Sequence, residues 1–208
     1  RLFLLSPSHT PFFLFLSKAI FAQIPSQPAI VPVRIGASQS LPNDTFIEKN
    51  PSDPDREYMV IKTVKGVVMS RGELINGKRN GTWREYSNNG DLMKVDEYKM
   101  GVRNGASVTL TIIGLVSQDA NYKNDTLHGQ KTIFQANGKI RSIENFSNGI
   151  LNGDRKTYYD DAKPQEESSY KNGLRDGICR WYLQNGKPSV EYNYVNGIKE
   201  GQASSIMN

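Results

Sequence analysis

The stretch KNGLRDGICRWYLQNGKPSVEYNYVNG, Lys171–Gly197, opens on Asn172-Gly173, closes on Asn196-Gly197 and holds Asn185-Gly186 between them. Glycines this frequent, with no apolar period of 3.6, disfavour helix. The spacing continues outside the stretch. Gly81, Gly105, Gly129, Gly153, Gly177 and Gly201 stand 24 residues apart. Gly77, Gly101, Gly149, Gly173 and Gly197 keep the same period, with Asp125 in the vacant slot. Gly66, Gly90, Gly114, Gly138 and Gly186 keep it again, with Ala162 in the gap. Of the 18 glycines only Gly36 and Gly72 fall outside these columns. Aromatic residues follow the same clock: Tyr98, Tyr122, Phe146, Tyr170 and Tyr194 in one column, Tyr86, Phe134, Tyr158 and Tyr182 in another, where Leu110 fills the remaining place. A fixed period of this length marks a repeat architecture.

Each unit reads as a β-hairpin. Thr82–Ser87 and Leu92–Tyr98 carry the Thr, Trp, Tyr and Val of strands, and Asn88-Asn89-Gly90 between them supplies a tight turn. The second connection is read as Asn76-Gly77-Lys78-Arg79-Asn80-Gly81. The recurring glycines are expected to serve the backbone, at positions where a Cβ would be strained. Six hairpins of 24 residues are counted from about residue 57: 57–80, 81–104, 105–128, 129–152, 153–176 and 177–200, with a partial unit at 201–208. Stacked two strand spacings per repeat, they would form an elongated single-layer ribbon about 55–60 Å long. With 37% hydrophobic residues, a mean hydropathy of −0.55 and no amphipathic helix to cover the sheet, a thick core is not expected.

Side chains alternate across a strand, so Tyr86 shares a face with Arg84, Tyr182 with Arg180, and Tyr98 with Asp96. The aromatic columns are the best candidates for the buried or half-buried face. Trp83, Glu85, Lys131, Thr157 and Trp181 are assigned to the other, mostly solvated one. Trp83, Tyr86, Tyr158, Trp181 and Tyr182, with the basic column Arg79, Arg103 and Arg175, are the candidate binding residues. Lys78 and Lys199 extend that basic row, while Leu127 and Leu151 interrupt it.

The pattern N-G-x-x-[N/D/E]-G-x-x-x-x-Y-x-x-x-G, then an aromatic, is legible from Asn172-Gly173 through Asp176-Gly177, Tyr182 and Gly186 to Tyr194. It resembles the MORN repeat in its bacterial variant form, over about residues 57–208. That resemblance implies an antiparallel sheet of successive hairpins and a role in binding or scaffolding, at membranes in many eukaryotic members. Many bacterial variant-repeat proteins are labelled YwqK-family antitoxins, which implies a cytoplasmic alternative in which the chain neutralises a toxin by direct contact.

Pro11–Gln23 is a short apolar run followed by small residues and resembles a signal peptide cut after Ala22. Lys18 inside the run and Ile20 three residues before the cut leave two alternatives open, a retained anchor and a misjoined upstream start. A functional signal places the protein in the periplasm or outside the cell. Residues 23–56 hold six of the ten prolines and read as a linker. The chain has no initiator Met and breaks off inside a seventh unit, so incomplete ends are expected.

Chemistry is sparse. There are two histidines and one cysteine. His128 occupies the Asn-like slot before Gly129 and reads as a turn residue; Cys179 reads as a small packed side chain. No metal or cofactor site is expected, and Asp53/Asp55, Asp96/Glu97, Asp160/Asp161 and Glu166/Glu167 come without a neighbouring base. An enzymatic role would need an appended catalytic domain. The net charge of +5 falls to +3 without residues 1–22, which carry Arg1 and Lys18. That is too mild for a nucleic-acid binder. The expected partners are a protein or an anionic envelope surface, with homodimer pairing through sheet edges and no transmembrane span.

Overall fold

A computed structural model of the chain describes residues 44–50 and 52–204. The predicted signal segment, most of the predicted linker and the end of the partial unit lie outside these residues. The described part is all β: β1 Asp44–Asn50, β2 Asp53–Lys62, β3 Val68–Ile75, β4 Lys78–Tyr86, β5 Leu92–Lys99, β6 Val102–Leu110, β7 Val116–Lys123, β8 Thr126–Phe134, β9 Ile140–Ser147, β10 Ile150–Tyr158, β11 Pro164–Lys171, β12 Leu174–Arg175, β13 Gly177–Tyr182, β14 Pro188–Val195 and β15 Ile198–Ser204. They form one sheet in which each strand pairs antiparallel with its neighbours in sequence, β12 and β13 both pairing with β11. β1 and the start of β2 fall within residues 44–56, inside the stretch read as linker.

Two kinds of turn alternate. Between β3 and β4, Ile75 pairs Lys78 directly, and both Asn76 and Gly77 have positive φ, the signature of a two-residue type I′ turn. The six-residue connection expected from Asn76 to Gly81 is therefore only two residues long, and Arg79 and Asn80 lie in β4. Gly81 keeps φ +64° inside that strand, where the pairing with β3 shifts register. The other turn closes by bonds from Ser87 N–H to Asp91 O at 2.8 Å and from Gly90 N–H to Ser87 O at 2.9 Å, and it recurs from Thr63–Val67 to Leu183–Lys187. Every glycine assigned to a turn has positive φ, and so do its replacements Asp125 and Ala162.

The repeats are fastened at the type I′ turns. Gly101 N–H donates to Arg79 O at 2.7 Å, and Gly149, Gly173 and Gly197 repeat this bond to Leu127, Leu151 and Arg175. Side chains add to it: Asn152 Oδ1 accepts from Asn172 N–H at 3.1 Å and Asp176 Oδ2 from Asn196 N–H at 3.1 Å. His128 fills the same slot with Nδ1, 3.5 Å from Asn148 N, and so lies in β8 rather than in a turn. The Asn/Asp position of the motif thus holds the turn of the following repeat.

Pairing register assigns the faces. Trp83 pairs Asp96, Gly81 pairs Tyr98, and Tyr98 in turn pairs Arg103, so these share one face. Tyr86 lies on the other, with Arg84, Lys156, Arg180 and Tyr182. The two aromatic columns therefore occupy opposite faces. The tryptophan face, expected to be mostly solvated, is the better covered one: Trp83 is 1% exposed, and Leu74, Asp96, Ser107, Ala120, Glu166 and Cys179 are buried on the same face. The reason is row packing within the layer. Trp83 lies over Gly72, and its Nε1–H donates to Glu73 O at 2.9 Å.

Candidate binding surface

One margin of the tryptophan face, next to the type I′ turns, alternates aromatic residues with Arg or Leu along successive strands. Arg79 stands 4.3 Å from the Trp83 ring and 5.4 Å from that of Tyr98. Arg103 lies 4.0 Å over Tyr122, and Asp125 Oδ1 accepts from its Nε–H at 3.3 Å. Arg175 lies among Trp181, Tyr194 and Tyr170 at 5.2, 5.7 and 5.9 Å. Five predicted binding residues, Trp83, Trp181, Arg79, Arg103 and Arg175, thus engage in ring–cation stacks within the sheet. Each such stack contributes about 0.5–2 kcal/mol. Leu127 and Leu151 occupy the same row in the middle repeats, where rings and leucines replace the cation stacks.

Beside this row is a cluster that sequence reading did not find. Glu166 Oε2 accepts from Arg155 at 2.8 Å, and its Oε1 accepts from Arg175 at 2.6 Å and from the Ser168 hydroxyl at 2.5 Å. Arg155 also reaches Glu144 at 3.3 Å. Burial pushes the Glu166 carboxyl up, but the bonds from Ser168 and Arg175 and the charge of Arg155 outweigh it and hold it below the ordinary range. The members come from β9, β10, β11 and β12. The available signal was the central register, in which Glu144 pairs Arg155 and Arg155 pairs Ser168.

The tyrosine face carries Tyr86, Leu110, Phe134, Tyr158 and Tyr182 in one row. Leu110 is buried and the rings are half-buried. The Tyr182 hydroxyl donates to Glu167 at 2.7 Å; burial and this carboxylate raise its pKa above the ordinary value. Nearby, Asp154, Lys156, Glu167, Ser169, Ile178 and Arg180 line a shallow depression of about 340 Å³. Its charges are engaged locally: Lys156 with Glu167 at 3.3 Å, Arg180 with Glu191, and Asp154 with the Ser169 hydroxyl at 3.0 Å. Glu166 and Glu167 face opposite sides of the sheet, so the pair shares no site. Cys179 is fully buried. Among the described residues no cluster of metal-ligating side chains occurs, and no helix is long and apolar enough to cross a membrane.

Residues 79–100, 127–148, 151–172 and 175–196 each match the MORN repeat variant family. No curated protein matches the chain. The matched segments begin at Arg79, Leu127, Leu151 and Arg175, the column that accepts the turn N–H of the next repeat, so the family signature coincides with the fastening described above. MORN repeats suggest a binding or scaffold role. Four units of the sheet, within residues 79–196, are MORN-variant repeats.

Proposed function

We propose that this chain is an exported, non-enzymatic scaffold that binds a protein of the cell envelope through its tyrosine face. The observation that carries this reading is the contrast between the faces. On the tryptophan face the rings and guanidinium groups are consumed by one another, whereas on the tyrosine face a row of half-buried rings has no second layer over it among the described residues. Tyr158 is the ring in this row best suited to contact, because Tyr182 is tied to Glu167 and Tyr86 is stacked by Arg71 at 5.5 Å. Export is supported by the signal-like run Pro11–Gln23.

Fractionation of the native host with mass spectrometry of the N-terminal peptide tests the compartment. A chain beginning at Gln23 outside the cytoplasm agrees with the proposal. An uncleaved cytoplasmic chain that copurifies with a small toxic protein replaces it with the antitoxin reading. For the surface, Tyr158→Ser should keep the fold and weaken retention of the envelope partner, while a folded variant that retains its partner fully would remove the tyrosine face from the proposal.

A further inference from the structure

Arg71 and Arg84 are directly opposed on β3 and β4, on the tyrosine face. The equivalent pairs in the following repeats are Val95 with Val108, Asp119 with Thr132, Ile143 with Lys156, and Glu167 with Arg180. None of these opposes like charges. Two cations facing each other across a ladder destabilise it. The two nearest carboxylates on this face are hydrogen-bonded to other groups. Glu73, two positions along from Arg71, is taken by Arg56 at 2.8 Å and Asn80 at 3.3 Å, and Glu97, diagonal to Arg84, accepts the Ala106 N–H at 3.1 Å. Arg71 Nε is buried without a hydrogen-bond partner. Tyr86 holds the Arg71 guanidinium in place, 5.5 Å from its ring. Val60 and Val95 bound the pair on either side of the row.

We infer that Arg71 and Arg84 form an anion site for a phosphate group, with Tyr86 as its wall. Charge decides the class of ligand. Two guanidinium groups match the −1.5 to −2 charge of about one phosphate, whereas a carboxylate leaves one charge unanswered. The planar guanidinium forks suit phosphate oxygens, and bound phosphate would turn the like-charge pair from a liability into a fastening between β3 and β4. The inference does not depend on export or on a partner for Tyr158.

The test is denaturation and calorimetric titration of the full chain with inorganic phosphate, glycerol phosphate and, as a monoanion, acetate, all at matched ionic strength. The variants are Arg84→Gln, Arg71→Gln and, as an exposed control that also removes one positive charge, Arg141→Gln. Phosphate is expected to bind the parent and the Arg141 variant alike, and the Arg84 and Arg71 variants at least tenfold more weakly. In chloride alone Arg84→Gln should unfold at a higher denaturant concentration than the parent, since it relieves the repulsion, and phosphate should narrow that gap. Preference for glycerol phosphate over inorganic phosphate would identify an esterified source, and the reverse a free ion. Equal responses from the parent and both arginine variants, or acetate acting as strongly as phosphate, would overturn the site.

Discussion

The Trp83 ring covers Gly72 so closely that a Cβ built on the glycine would stand 2.5 Å from Trp83 Cδ2. Gly72 is the described glycine without positive φ, so its backbone accepts alanine and any cost of substitution reads the contact itself. Gly72→Ala should destabilise the array by about 1–3 kcal/mol through overpacking. Trp83→Ala should cost about 3–5 kcal/mol. In a Trp83→Leu background Gly72→Ala should cost markedly less. A double-mutant cycle by urea unfolding measures the coupling, and strict additivity would mean that the ring and the glycine do not share the space.

Ala162 and Met100 hold left-handed backbone at φ 72° and 50°, where neighbouring repeats carry Gly and Asn. A Cβ there costs roughly 1 kcal/mol, least for Asn. Ala162→Gly should therefore raise stability by about 0.5–1 kcal/mol, and Met100→Asn by roughly a few tenths of a kcal/mol. The readout is a higher denaturation midpoint at unchanged slope.

Glu166→Gln removes the charge that joins Arg155 to Arg175 and leaves one acceptor oxygen for the two guanidinium groups. Glu166→Gln should cost roughly 1–2 kcal/mol, because two half-buried guanidinium groups lose their shared carboxylate. The same cluster sets an acid limit. A carboxylate whose folded pKa lies below its unfolded one adds stability at every pH above the unfolded value and loses it as pH falls through the folded one. Glu166 and Glu167 are both held low, so stability should drop from about pH 4 downward. The drop should be shallower in Glu166→Gln than in the parent.

Asp119 behaves in the opposite sense. Burial raises its pKa, and the bond from Ala120 N–H opposes this only in part. Such a group favours the fold while protonated and loses that contribution as pH rises through its folded value. Asp119→Asn should be more stable than the parent at neutral pH, with the gain shrinking toward pH 4. Midpoints measured at the two pH values check the sign.

Much of this was legible beforehand, for a local reason. The period of 24 is written in glycines that meet positive-φ requirements of the backbone, and those requirements act within a few residues of each turn. The short connection at Asn76-Gly77 was misjudged because Gly81 looked like its far end. It is instead a positive-φ position within a strand, and glycine alone does not tell a turn from a bulge.

Sequence by itself determined the repeat, the strand class and the alternation of side chains within each strand. Tertiary structure decided which rows meet. Tyr86 and Tyr98 belong to strands whose register is set by the turns between them, and a one-residue shift exchanges the faces. The burial of Trp83, the stacking of Arg79, Arg103 and Arg175, and the gathering of Glu144, Arg155 and Glu166 all follow from that register. Contacts between strands are properties of pairing, and pairing is settled only when the whole sheet is assembled.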